Sequence, residues 1–107
     1  MDATDQLRRL LGLALRSRRV ALGRAACRRA AAQGALHLLV VARDAGASAL
    51  RDSGVSGSVP WIRCELGKHD LGRLVGRAEL ALLGVTDPQL AAGMLRAAAP
   101  PAEAPPG

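Results

Sequence analysis

Apolar positions recur at helical spacing from the start of the chain. Leu7, Leu10, Leu11 and Leu15 form one stripe, and Arg8, Arg9 and Arg16 fall off it. Thr4 is placed to cap a helix reaching to about residue 17. The short run Val20-Ala21-Leu22 predicts a strand closed by Gly23. A second helix follows over about 24–33, with Gly34 as its stop. Residues 36–42 form an unbroken apolar run of strand length, the pattern of a central strand covered on both faces.

Asp44 or Ser48 then starts a short third helix ending near 53–54. A Gly/Ser loop over 55–58 leads to a strand over 59–63, where Pro60 suits a strand start or a sheet edge. The pattern predicts a helix over 68–75 stopped by Gly76, and an apolar strand over 79–85. Thr86-Asp87-Pro88 is a helix start, with Asp at the cap and Pro in the first helical position. The last helix reaches about residue 97. The Ala/Pro-rich tail over 98–107 offers nothing to pack and is expected to be disordered. Alternating helices and strands over 1–97 predict one α/β domain, a three-layer α-β-α sandwich with a small mixed sheet of about four strands.

Composition narrows the core. Half of the 107 residues are hydrophobic, mostly Ala, Leu and Val, and Trp61 is the sole aromatic. The interior is therefore aliphatic. No run approaches the roughly 18 apolar residues of a membrane helix. The polar, mixed-charge start lacks a secretory pattern, so a cytoplasmic protein without membrane contact is expected. Cys27 and Cys64 form no C-x-x-C and read as reduced, buried small hydrophobes. With His37 and His69 they match no zinc spacing, so neither metal nor cofactor is expected. His37 reads as a core or edge histidine and His69 as an exposed one.

Enzyme signatures fail. No G-x-G-x-x-G follows a strand and no G-x-S-x-G exists. Gly67-Lys68 fails as a phosphate-binding loop, because His69 replaces Ser/Thr and Ile62 stands where the loop needs Gly. The few carboxylates sit at turns and helix starts, where capping accounts for them. A non-catalytic protein with no small-molecule substrate is expected.

Charge changes the picture. The formal net charge is +6. Residues 1–29 hold eight arginines against Asp2 and Asp5, while the remaining seven bases and seven acids cancel. Fourteen of the fifteen basic residues are Arg, suited to bidentate phosphate contact. A solvated arginine-rich surface would give the same count. The clustering instead points to a polyanion, because Arg24, Arg28 and Arg29 follow Gly23 at the start of helix two. Unpaired backbone N–H groups and the helix dipole favour an anion there. Ala25 and Ala26 leave room for a nucleic-acid backbone, and Arg24 and Arg28 share a helix face. The lack of Tyr and Phe argues against a base-stacking platform on the sheet surface.

The ordered motifs resemble a known family. Leu10-Leu11-Gly12-Leu13-Ala14, Val20-Ala21-Leu22-Gly23, Arg29-Ala30 and Gly34 are similar to the opening of the kink-turn-binding ribosomal proteins. That superfamily is typified by the archaeal L-seven-Ae protein, and the chain most resembles its small bacterial YlxQ-type members. The similarity continues through 38–45, a strand ending in Ala-x-Asp, then Leu71-Gly72 with Gly76, and Val85-Thr86-Asp87-Pro88.

The resemblance implies a sandwich that binds kinked RNA through the first turns of helix two and the loop before the last strand. By position these are Gly23, Arg24, Ala25, Ala26 and Arg29, and the segment Gly76, Arg77, Ala78 and Glu79. Strong kink-turn binders carry an Asn-Glu pair where this chain has Ala25 and Ala26, and alanine can neither donate nor accept. Arg24, Arg28, Arg29 and Arg77 are then left to hold phosphates. The expected partner is structured RNA, ribosomal RNA or the ribosome foremost. The alternative is a protein–protein adaptor on the same fold. A fragment of an RNA methyltransferase is disfavoured, since no catalytic domain follows.

Overall fold

A computed structural model of the protein describes residues 3–51, 54–55, 57 and 59–98. The elements run α1 (Ala3–Arg16), β1 (Val20–Leu22), α2 (Gly23–Ala32), β2 (Leu38–Val41) and α3 (Ala47–Arg51). Then come β3 (Trp61–Arg63), α4 (Lys68–Leu74), β4 (Leu82–Val85) and α5 (Pro88–Ala97). The four strands lie in the order β1-β4-β2-β3. β4 pairs antiparallel with both β1 and β2, and β2 pairs parallel with β3. This is the expected mixed sheet.

Strand alternation sorts the core into two layers. Leu38, Val40, Ile62, Leu83 and Val85 face Leu11 of α1, Leu71 of α4, and Ala91 and Met94 of α5. Leu39 and Leu82 face the other way, onto Cys27 and Ala30 of α2, with Ala49 and Leu50 of α3 packed alongside. Every residue of β2 and β4 is buried, which explains why both read as continuous apolar runs. Truncating a fully buried side chain such as Leu38 to Ala costs about 2–5 kcal/mol in a core of this kind.

The second layer packs closely because of one glycine. A Cβ on Gly84 would run into the Leu36 side chain and stand 3.2 Å from Cys27 Sγ. Gly84 therefore lets α2 lie down on β4. Both cysteines are free and buried, and burial pushes the Cys27 thiol up to about 11 and raises that of Cys64. Neither is an activated nucleophile.

Several boundaries differ from those the sequence predicts. α1 begins at Ala3, so Thr4 lies inside the helix; such ends shift by a residue or two. α2 begins at Gly23 itself. His37 precedes β2 and donates its backbone N–H to the Val85 carbonyl at 3.0 Å, while Leu36 turns onto Gly84. β3 is short, and Pro60 contributes only its carbonyl, which accepts from Leu39 N at 3.0 Å. β4 starts at Leu82 because the preceding residues fold back onto α4. Neither Asp44 nor Ser48 caps α3: Ser48 lies within that helix, and Asp44 caps a different one. Asp87 caps α5 as expected, accepting from Gln89 N at 2.8 Å and Leu90 N at 2.9 Å. Parts of the 55–58 loop and the tail from residue 99 lie outside the described residues. Among those described, no helix is long and apolar enough to cross a membrane.

Candidate nucleic-acid interface

β1 passes into α2 without an intervening loop. Leu22 is still extended (φ −95°, ψ 118°), and Gly23 turns the chain at φ 84°. L-residues rarely adopt that angle, so glycine is needed here. Leu22, at the N-cap position of α2, supplies no side-chain hydrogen bond, and the first turn contains no acid. The positive end of the helix dipole thus lies beside the exposed Arg24.

The loop before β4 is brought to the same place by α4. After Gly76 (φ 74°) the chain doubles back along its own helix. Arg77 N donates to the Gly72 carbonyl at 2.8 Å, and Leu80 N to the Lys68 carbonyl at 2.8 Å. A Cβ on Gly72 would stand 2.6 Å from Glu79 Cα and 2.8 Å from the Arg77 carbonyl oxygen. The missing side chain is what lets the loop seat on the helix. His69 Nδ1 lies 3.4 Å from the Ala78 carbonyl oxygen at the same turn.

Asp44 completes the support from the end of β2. Its Oδ1 accepts from Lys68 N at 2.8 Å, and its Oδ2 lies 3.2 Å from the Cβ position of Gly67. The Lys68 N–H, ahead of the nearby charges of Lys68 and Arg43, holds the Asp44 carboxyl below its ordinary range. The Ala-x-Asp that ends the β2 run is therefore the cap of α4.

This scaffold sets Arg77. Its Nη1 lies 3.5 Å from the position a Cβ would take on Gly23, so the guanidinium lies over the turn into α2. Gly23, Arg24 and Arg77, which the sequence placed in two separate segments, come together. Ala25 is exposed beside them and Ala78 is exposed on the loop. Ala26 is half-buried against the α2-side core. Arg29 is exposed further along α2. Arg28 diverges: its stem lies across Gly54, with Cγ 2.9 Å from that residue's Cβ position, toward the segment after α3. Sequence reasoning missed Gly72 and Asp44 as the residues that position the loop. The available signals were a glycine in mid-helix and an aspartate just past an apolar run. Among the described residues no cluster of His, Cys, Asp or Glu could hold a metal.

No protein-family model and no curated protein matches the sequence. Solved structures do. A Bacillus halodurans protein of unknown function superposes with a TM-score of 0.71 at 28% identity, over 88% of this chain and 96% of that one. The Giardia lamblia 15.5kD RNA binding protein superposes with a TM-score of 0.64 at 17% identity, over 89% of this chain and 83% of that one. The chain shares the fold of both.

Proposed function

We propose that the chain is a non-catalytic RNA-binding protein of the kink-turn-binding ribosomal superfamily, acting in the cytoplasm on structured, ribosomal RNA. The observation that carries this reading is Arg77 lying over Gly23, which joins the loop before β4 to the start of α2. A phosphate at that turn meets backbone N–H groups from below and the guanidinium groups of Arg24 and Arg77 from the sides. Arg29 extends the contact along α2. The fold shared with a Giardia RNA binding protein supports the same partner class.

The alanines define what this site reads. Ala25 and Ala26 supply no hydrogen bond to a base edge, so recognition rests on the shape and phosphate spacing of folded RNA. Affinity for a kinked RNA stem should then fall steeply between about 50 and 200 mM salt. Arg24→Ala/Arg29→Ala/Arg77→Ala should remove most of the binding and flatten the salt slope by about 2–3. An unchanged titration rejects this site. If the native protein binds no kinked, hairpin or ribosomal RNA at low salt, the adaptor reading takes its place.

A further inference from the structure

Arg18 is the one non-glycine residue with positive φ among the described residues (φ 59°). It sits where α1 stops. Arg18 N donates to the Leu15 carbonyl at 3.2 Å, and Arg19 N reaches back to the Ala14 carbonyl at 2.9 Å. This hydrogen-bond pattern ends a helix through one left-handed residue, usually glycine, because an L side chain is strained there. An arginine kept in such a position is a reason to look for what its side chain does.

Its surroundings are cationic and open. Arg16, Arg18 and Arg19 are all exposed, and none takes part in an ion pair among the described residues. The Arg16 guanidinium lies back over Gly12, and Arg18 and Arg19 are the exposed cations that follow it. Thr86 N donates to the Arg19 carbonyl at 2.9 Å and pins the segment to the end of β4.

This pair stands at one end of β1, and Gly23, Arg24 and Arg77 stand at the other. β1 is the outermost strand on its side of the sheet and only three residues long. Four strand steps from Arg19 to Gly23 span about 13 Å. That separation lets the two ends of β1 meet different phosphates of one RNA strand.

We propose that Arg18 and Arg19 form a second phosphate contact, so that bound RNA runs along the β1 edge from the Gly23 turn to the end of α1. The inference rests on the RNA-binding reading above and adds a site to it. A competing role for the same charges is to keep an open sheet edge from pairing with another chain.

The test uses the full chain and a labelled kinked RNA stem, titrated across a salt series. Arg18→Gly/Arg19→Ala should weaken binding by about tenfold at low salt and reduce the salt slope by about 1–2. Its melting temperature should equal or exceed the native one, so a folding defect cannot account for the loss. Native affinity and slope in this variant overturn the proposal. Native affinity with new self-association also overturns it, in favour of edge protection. Arg24→Ala/Arg77→Ala separates the two readings. If that variant binds like native while Arg18→Gly/Arg19→Ala is weak, the α2 site fails and the α1 contact stands alone.

Discussion

The helices on either side of β1 end with the same pattern of backbone hydrogen bonds and different residues. At the end of α2, Gly34 takes the left-handed position (φ 70°), with Gly34 N donating to Ala31 at 3.0 Å and Ala35 N to Ala30 at 2.9 Å. At the end of α1, Arg18 occupies the equivalent place with the equivalent bonds. The backbone pattern stops the helix in both cases, so residue identity is free to answer to something else. At α2 it answers to stability. At α1 an L-residue accepts a cost of about 1–2 kcal/mol and leaves a cation beside the edge strand. The other end of β1 carries its cation differently: Arg77 sits in an ordinary loop held down on α4 by Gly72, with Asp44 capping that helix.

The clamped end is the more fragile of the two. Gly72→Val places a side chain where Glu79 Cα and the Arg77 carbonyl stand, and these are backbone atoms that cannot swing aside. We expect a loss of about 2–3 kcal/mol by chemical denaturation. RNA affinity should fall with it, while the amide resonances of Arg18 and Arg19 stay in place. Native stability in Gly72→Val would show that the loop is not seated on the helix as described.

Exchanging the two helix stops tests the comparison directly. Gly34→Arg gives α2 the arrangement of α1. The left-handed strain of about 1–2 kcal/mol is partly offset by the entropy glycine loses on folding, roughly 0.5–1, leaving a net loss of about 1 kcal/mol. Arg18→Gly is the mirror case and should gain about 0.5–1 kcal/mol, a rise of a few degrees in Tm. If Arg18→Gly melts lower than native, the arginine contributes to folding and its conformation is no sign of function.

What the sequence made legible was local. Gly34 after an alanine-rich helix and Asp87-Pro88 before the last one are signals complete within a few residues, and the stop and the start both stand where predicted. The apolar runs of β2 and β4 were equally plain, because burial on both faces removes polar residues altogether. The expected strand from residue 79 failed for a non-local reason: Leu80 N is taken by the Lys68 carbonyl, twelve positions back. Asp44 was assigned to the wrong helix because its partner lies 24 residues downstream. The arginine surplus was visible by counting. That Arg77 crosses to Gly23 depends on β1 pairing with β4, and nothing near either residue announces that pairing. The conformation of Arg18 had no sequence signal, since no glycine marks the stop.

The smallest expected effect is a pH response confined to one end of β1. The Asp44 carboxyl is held below its ordinary range chiefly by Lys68 N–H, so its charged form belongs to the folded state. A lowered folded pKa means that the stabilisation is complete above the ordinary value near ~4 and is lost as pH falls through the lowered one. Asn caps a helix about as well as Asp but does not titrate in this range. The stability advantage of native protein over Asp44→Asn should therefore shrink as pH falls from about 5 to about 3. The bonds that end α1 join backbone groups and the Ser17 hydroxyl, with no carboxylate among them. Acid should accordingly shift the amide signals of Lys68 and Arg77 before those of Arg18 and Arg19. A difference between the two proteins that stays flat over this range would mean the carboxylate is not what holds α4, and that the two ends of β1 are supported more alike than their hydrogen bonds indicate.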